Sequence, residues 1–585
     1  MIVPFTTSSA IVPDGLDATR WDQLKPLYDE LLARDLHCVR CLERLILDRS
    51  ELDAAACEAL TLLTINMTCR TDDARANKAY EDFIQHVQPQ LKEVGFALDQ
   101  RIINAPQARE LDQQRYGVLL RDLKANVEIF RAENVPIETE LACLAQTYAQ
   151  VSGAMTVVFR GEERTLSQLA RYNDETDRSL REEAWRAGAT RRYRDAERLD
   201  DLFEKMLALR HTAALNAGFA NFRDYSFVSK RRFDYSAQTC HEFARGVEQI
   251  VTPLARKLIR DRAADLGISS TRPWDTHVDP RGRAPLRPFR NASELIDRTS
   301  RVFQRMDSGP GGLAQMFEYL RQDDPHAPES GDVLHRSLDL ESRKGKAPGG
   351  YQSNRERLRK PFIFMNAAGV QRDVETLLHE AGHAFHSLLC RADPILAYRN
   401  EIPLEFAEVA SMSMELLTHE YLDEYYTPEE SRRACRMHLE QTILGLTLIA
   451  IVDQFQHWIY EHPAHSRQER HSQWRAINDR LGPGIDWSGL EEFQRTSWHR
   501  ILHLYEVPFY YIEYGIAQLG ALQIWSNARR DPAATLRAYK QALALGGSRP
   551  LPELFAAAGA RFEFGPDALS RLIPDIESEL ARLAD

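Results

Sequence analysis

The apolar positions along residues 17–150 follow a helical pattern. Leucines recur at intervals of three and four residues, as at Leu24, Leu27 and Leu31. Glycine is scarce in this stretch and long polar helix formers are common, which favours antiparallel helices. The pattern therefore predicts an N-terminal helical region, a wall or lid, over residues 1–190.

A different pattern interrupts the helices near residues 155–166. Residues 156–159 are β-branched or aromatic and Arg160-Gly161 has the composition of a turn, so we predict a small hairpin. Helical periodicity then continues through residues 191–585, which we predict to be a second domain. Its most apolar run, ILGLTLIAIV at 443–452, is shorter than the roughly 20 residues of a membrane helix and predicts a buried helix.

The second domain contains the sequence DVETLLHEAGHAFHSLLCR, which predicts a helix over Asp373–Arg391. His379 and His383, four residues apart, lie on one face at a separation that allows both to bind one zinc ion. Glu380 projects beside that ion, where it can take a proton from a bound water. Gly382 costs about 1 kcal/mol inside a helix relative to alanine. A close approach by another backbone at this position would explain why a glycine is present.

A catalytic zinc ion needs a third protein ligand. In the segment EIPLEFAEVASMSMELL, the spacing of one helical face is followed by Glu405, Glu408, Ser411 or Met412, and Glu415. Carboxylates among apolar residues are costly to bury unless they meet a cation. Spacing alone leaves a solvated acidic face as the alternative. We predict Glu408 as the third ligand and Glu415 as the acceptor that orients a ligating imidazole.

Two features near the HExxH motif suggest contacts with a substrate. Residues 361–366, PFIFMN, predict a short strand. Phe362, Ile363 and Phe364 either pair with an extended peptide, as an edge strand does, or belong to a core strand. His386 lies roughly 10 Å along the helix axis from His379, too far to share its ion. We expect His386 to contact substrate or to form a hydrogen bond near the cleft.

Composition and charge narrow the class of protein. The net charge of −12 and the pI near 5.9 argue against binding to nucleic acid. The eight cysteines are dispersed along the chain, which indicates reduced thiols. We expect the CxxC pair of Cys38 and Cys41 to contribute to helix packing. The N-terminal residues show neither a basic region nor a long apolar core, so we expect no secretory signal. These features predict a cytoplasmic protein that does not bind membranes.

The motifs together resemble one family, the zinc oligopeptidases of the oligoendopeptidase F and thimet oligopeptidase group. The matching segments are HEAGHAFHS at 379–387, EFAEVASMSMEL at 405–416 and HLYEVPFYYIEYG at 503–515. Segments at 161–187 and 546–559 are similar to the oligoendopeptidase F branch. The resemblance covers about residues 155–585, while the first 150 residues match only in helical character.

This resemblance implies a mainly α fold of the zincin type. Two helical lobes would flank a deep substrate channel, with a small β-sheet beside the HExxH helix and the metal at the bottom of the channel. Short unfolded peptides would enter such a channel and folded proteins would not. The resemblance thus makes residues 191–585 a catalytic metallopeptidase domain.

The resemblance also implies a mechanism: a zinc endopeptidase cleaves internal bonds of oligopeptides through a zinc-activated water. One Zn²⁺ would be held by His379, His383 and Glu408, with Glu380 as general base. His503, Tyr510 and Tyr514 match positions that contact the substrate and the tetrahedral intermediate in the family. Tyr511 competes with these tyrosines for that role because the tyrosine spacing varies within the family.

Two alternatives remain open at the level of sequence. A carboxypeptidase or dipeptidyl carboxypeptidase on the same scaffold would need a fixed cation for the C-terminal carboxylate, and spacing singles out no arginine. A non-catalytic peptide-binding homologue would keep the scaffold without turnover. No sequence pattern assigns an oligomeric state.

Overall fold

The computed structural model describes residues 11–322 and 333–584, which form two compact units. The first unit contains residues up to Glu128 together with Leu286–Ala434 and Gly520–Phe562. The second contains Ile129–Pro285, Cys435–Leu519 and the residues from Glu563 onward. The predicted division at residue 190 does not coincide with these boundaries. Contacts between distant stretches define the units, and local periodicity does not report such contacts.

The first stretch of the first unit is helical, as the leucine pattern predicts. Its helices are α1 (Trp21–Ala33), α2 (Val39–Cys69), α3 (Ala74–His86), α4 (Gln88–Asn104) and α5 (Gln113–Ile129). Leu24 and Leu31 of α1 and Leu42 of α2 are fully buried in a common apolar core. The helical prediction for this stretch is confirmed, and hydrophobic burial stabilises it.

The second unit begins with helices interrupted by one hairpin. Its elements are α6 (Asn134–Gly153), β1 (Thr156–Phe159), β2 (Glu162–Thr165), α7 (Leu166–Ala170), α8 (Arg178–Arg194), α9 (Ala196–Asn216), α10 (Phe222–Ser229), α11 (Ala237–Gly246) and α12 (Thr252–Asp265). β1 pairs antiparallel with β2, which confirms the predicted hairpin. Arg160 and Gly161 have φ values of 53° and 85°, the left-handed conformation that a two-residue hairpin turn requires.

The first unit then continues with a small sheet and the HExxH helix. The elements are α13 (Ala292–Met306), α14 (Leu313–Arg321), β3 (Leu338–Glu341), β4 (Tyr351–Arg355), β5 (Lys360–Ala367), α15 (Gln371–Cys390), α16 (Leu396–Asn400) and α17 (Leu404–Leu417). The strand order is β3-β5-β4, with β3 parallel and β4 antiparallel to β5. α15 packs against β5 and β4, so the sheet lies beside the HExxH helix as expected.

The remaining helices complete both units. They are α18 (Pro428–Glu461), α19 (Arg467–Leu481), α20 (Glu491–Arg495), α21 (Leu502–Glu506), α22 (Tyr511–Ala528), α23 (Pro532–Leu543), α24 (Leu551–Ala557) and α25 (Pro566–Arg582). The apolar run at 443–452 lies inside α18, where Ile443, Leu446 and Val452 are buried, as predicted. Among the described residues, α18 is the one helix long and apolar enough to cross a membrane, and 56% of its most apolar window is buried in the protein.

Candidate active site

The HExxH helix starts two residues earlier than predicted. α15 begins at Gln371, so Asp373 is not its first residue but its third. Its carboxylate accepts hydrogen bonds from the backbone N–H groups of Val370 and Ala368, at 2.9 and 2.8 Å. Asp373 therefore satisfies donors at the start of the helix from inside its first turn.

Gly382 allows α17 to touch α15 backbone to backbone. A Cβ on Gly382 would lie 2.6 Å from Cα of Ser411 and 2.7 Å from the carbonyl oxygen of Ala410. The close approach expected at Gly382 is present, and the neighbour is the predicted ligand helix. Tyr539 donates a hydrogen bond to the same carbonyl of Ala410, at 2.7 Å, and so ties α23 to α17. These contacts set the position of Glu408 relative to the two histidines.

His379, His383 and Glu408 converge on one point. Oε2 of Glu408 lies 3.3 Å from Nε2 of His379 and 3.6 Å from Nε2 of His383, and the three ligand atoms lie within 4.8 Å of one another. Tetrahedral coordination with bonds near 2.05 Å separates ligand atoms by about 3.3 Å. The two nitrogens and one oxygen thus fit a divalent ion of that geometry in both spacing and chemistry.

Hydrogen bonds from α17 hold this arrangement. Nδ1 of His379 donates a hydrogen bond to Oε1 of Glu415 at 2.7 Å, which leaves Nε2 of that imidazole facing Oε2 of Glu408. The hydroxyl of Ser411 donates to Oε2 of Glu408 at 3.0 Å. The sequence did not predict this contact of Ser411. Its position three residues after Glu408, on the same helical face, is the feature from which the contact could have been inferred.

The charges in the cluster favour a cation. Burial alone would raise the pKa of Glu408, but the hydrogen bond with His379 and the nearby imidazole charges lower it to about 2. Burial opposes charge on His379, but its contacts with Glu408 and Glu415 raise its pKa well above the usual range. Burial lowers the pKa of His383 to about 4, which leaves its imidazole neutral and able to donate a lone pair. The two carboxylates, Glu408 and Glu415, thus favour a positive charge at the position of His379.

Glu380 is buried next to His379 and near Glu408 and Glu415 of α17. Its side chain is 7% exposed, and burial raises its pKa to about 7, with a further increase from the charges of Glu408 and Glu415 and an opposing decrease from His379. A carboxyl group with a pKa near neutrality can both accept and return a proton. The environment of Glu380 therefore suits a general base.

The strand predicted to contact substrate is a core strand. Phe362, Ile363 and Phe364 are fully buried, and β5 is the middle strand of its sheet, paired on both sides. Its backbone donors and acceptors are used by β3 and β4, so an added peptide strand has no free edge at β5. The edge-strand alternative for these three residues is wrong.

The prediction for His386 also needs correction. Its side chain is 2% exposed and its ring packs edge-on against Phe406, with 5.7 Å between ring centres. Burial lowers the pKa of the imidazole to about 3, so it is neutral. The enclosed ring contributes to the packing of α15 on α17 and is not accessible to a substrate in this structure, and its Nε2 has no hydrogen-bond partner among the described residues.

The second unit gathers the remaining predicted site residues. The ring of His503 lies 5.3 Å from that of Tyr510, 4.9 Å from Tyr511 and 6.0 Å from Tyr514, measured between ring centres. The rings of Tyr510 and Tyr514 are 5.0 Å apart. All four residues are partly accessible to solvent. Burial, and then the charge of Lys230, lower the pKa of His503, which favours a neutral imidazole.

Two histidines and a glutamate that could hold a metal ion converge on a helix pair beside a small sheet, and comparison with known proteins gives the family. Residues 171–572 match the model of peptidase family M3, and residues 16–130 match the peptidase M3 N-terminal domain. The chain belongs to peptidase family M3.

Relatives of known structure and sequence agree with this assignment. The solved structure described as Pz peptidase A with inhibitor 2 superposes with a TM-score of 0.87 at 27% identity, covering 96% of this chain and 97% of that one. The plasmid-encoded oligoendopeptidase F of Lactococcus lactis subsp. cremoris is 27% identical over 43% of this chain and 42% of its own length. Oligopeptidase PepF of Bacillus subtilis is 27% identical over 38% and 34%. The chain thus matches less than half of the length of these two curated relatives.

Proposed function

We propose that this peptidase is a zinc-dependent endopeptidase that hydrolyses internal bonds of short oligopeptides. One observation carries the proposal: two imidazole nitrogens and a carboxylate oxygen converge at the spacing of a tetrahedral site, with a buried glutamate next to them in sequence. The relatives named as oligopeptidases and oligoendopeptidases support the substrate class.

In this proposal His379, His383 and Glu408 hold one zinc ion. When bound, the ion supplies Lewis acidity, which lowers the pKa of water and polarises a carbonyl group. Glu415 keeps Nδ1 of His379 occupied, so that only Nε2 is available as a ligand atom. Ser411 keeps one oxygen of Glu408 fixed.

Glu380 performs the proton transfers. Its carboxylate removes a proton from the attacking water and returns it to the nitrogen of the leaving amine, which breaks the C–N bond without releasing a charged amide. The pKa near 7 matches this double role because the group is neither a weak acceptor nor a permanent anion at neutral pH.

The tyrosine cluster, which consists of Tyr510, Tyr511 and Tyr514 around His503, stabilises the developing oxyanion. We assign hydroxyl donation to Tyr510 or Tyr514, with His503 assisting and Tyr511 contacting substrate, because these residues match the family motif and form one group of rings. Removing one such donor typically costs about 10²–10³ in rate.

The test combines Glu380→Gln with metal analysis and an internally quenched peptide. We expect turnover to fall by at least about 10³ while the zinc content stays near one per chain, since Glu380 is not a ligand. Glu375→Gln is the matched control, the same substitution on the same helix outside the cluster. Near-normal turnover of the Glu380→Gln protein would exclude the assigned base. Zinc-loaded wild-type protein that cleaves no peptide would favour the binding-protein alternative.

A further inference from the structure

A cavity in the second unit has a composition suited to an anionic end group. Its volume is about 430 Å³, within the range of small-ligand pockets. Residues of α7, α8 and the segment 487–500 line it. Its aromatic wall consists of Trp185, Tyr193, Trp487 and Phe493, whose rings contact one another edge-on. An apolar side chain of a ligand can pack on this wall.

The charge of the lining is entirely positive. Among the described residues, the cavity lining includes Arg192 and Arg500 but no aspartate or glutamate. His499 also lines the cavity, but burial lowers the pKa of its imidazole, despite an opposing contact with Asp200, so it is neutral at physiological pH. The chain as a whole carries a net charge of −12, so this local excess of cations is contrary to its composition.

Neither arginine has a counter-charge within the part of the chain that is described. Over residues 11–322 and 333–584, no ion pair or hydrogen bond involves the guanidinium group of Arg192 or Arg500, whereas the nearby Arg470 pairs with Asp200 at 2.8 Å. Burial lowers the pKa of both guanidinium groups, and the charge of Arg500 lowers that of Arg192 further. Both side chains nevertheless remain exposed to solvent. Two exposed cations that line one cavity are a favourable place for an anion.

The cavity is close to the tyrosine cluster. Arg500 of the lining precedes His503 by three residues, and Tyr148 of the lining stacks on Tyr505 of the same segment, with 4.0 Å between ring centres. A ligand held at Arg500 is therefore bound by the same chain segment that carries the residues assigned to substrate.

From this geometry we propose that Arg192 and Arg500 bind the C-terminal carboxylate of a peptide substrate, whose last side chain packs on the aromatic wall. The proposal rests on the proposed peptidase function and deepens it: the enzyme selects short peptides partly by their free C-terminus. Two guanidinium groups offer several N–H donors to one carboxylate, which is the pairing that gives arginine its preference for such groups.

The experiment compares one internally quenched peptide as its free acid and as its C-terminal amide. For the wild-type enzyme we expect KM to be about 10- to 100-fold lower for the acid, the loss typical of a charged hydrogen-bonded pair. In Arg192→Gln and Arg500→Gln this difference should shrink to less than about threefold, and Arg500→Lys should retain part of it. Arg194→Gln removes an exposed charge from the same helix outside the cavity and should behave as wild type. Thermal unfolding of each variant checks that it is folded.

Calorimetric binding to the Glu380→Gln protein separates this proposal from the proposed function. Titrants are the peptide acid, the peptide amide, an amide with an internal glutamate, and inorganic phosphate. Tighter binding of the acid, lost in Arg500→Gln, supports the terminal-carboxylate site even if no peptide is cleaved. Equal binding of acid and amide, or binding of phosphate or the internal glutamate as tight as that of the acid, overturns it. Failure to cleave either peptide counts against the proposed function alone.

Discussion

Replacing Gly382 with alanine tests whether the contact between α15 and α17 builds the metal site. The added Cβ would lie 2.6 Å from Cα of Ser411, whereas ordinary contacts begin near 3.4 Å, so α17 must move by about 0.8 Å. Both close atoms belong to the backbone of α17, and no flexible side chain can absorb the movement. Metal–ligand distances tolerate only about 0.2 Å. The movement therefore displaces Glu408 from the two histidines.

The change in the free energy of unfolding follows from two opposing effects. Overpacking costs about 1–3 kcal/mol, and the better helix propensity of alanine returns about 1 kcal/mol. Gly445→Ala is the matched control because a methyl group added at Gly445 in α18 would meet no described atom within 4 Å, so this variant gains the propensity without the clash. We expect the free energy of unfolding of Gly382→Ala to fall about 1–3 kcal/mol below that of the control, and zinc affinity to weaken by about 10- to 100-fold.

Chelator competition gives the zinc affinity, and urea unfolding of the metal-free proteins gives the stability. Turnover measured at saturating zinc separates weak binding from misplaced groups. If Gly382→Ala matched Gly445→Ala in stability and bound zinc as tightly as wild type, the reasoning that this glycine positions the third ligand would be refuted.

Three other predictions concern individual groups of the site. Glu415→Gln should weaken zinc binding about 10- to 100-fold, measured by chelator competition, because Nδ1 of His379 loses the acceptor that orients it; unchanged affinity would contradict this role. In metal-free protein, Glu380 is protonated in both folded and unfolded states below pH 4.5, and the unfolded chain loses its proton first as the pH rises toward 7. Stability therefore falls through that window, so Glu380→Gln should be more stable at pH 8 by up to about 3 kcal/mol in urea unfolding, with no difference at pH 4; a gain that does not depend on pH would be inconsistent with a buried ionised carboxylate. Tyr510→Phe or Tyr514→Phe should lower kcat by about 10²–10³ with little change in KM, and full activity of both variants would remove the tyrosines from the oxyanion site.

The sequence was sufficient for the parts of the site that depend on local spacing. The four-residue interval between His379 and His383 fixes their common face once the helix exists. The interval of seven between Glu408 and Glu415 likewise places both carboxylates on one face of α17. The apolar run of Phe362, Ile363 and Phe364 was also sufficient to distinguish a central strand from an edge strand, because consecutive apolar residues on both faces indicate a central strand.

What the sequence could not give depends on contacts between distant residues. Arg192 and Arg500 are separated by about three hundred positions, and nothing in the spacing of arginines distinguishes them from the solvated ones. The two units are each assembled from separate stretches, so composition shifts along the chain do not mark their limits. The burial of His386 depends on Phe406 of another helix and not on its own neighbours in sequence.

The central claim is that one zinc ion is bound by His379, His383 and Glu408. Anomalous diffraction at the zinc edge, from crystals grown with zinc, tests it directly. We predict a single strong peak about 2.0–2.2 Å from Nε2 of each histidine and from Oε2 of Glu408. A peak at another place, or a Glu408 side chain turned away from the ion, would contradict the account.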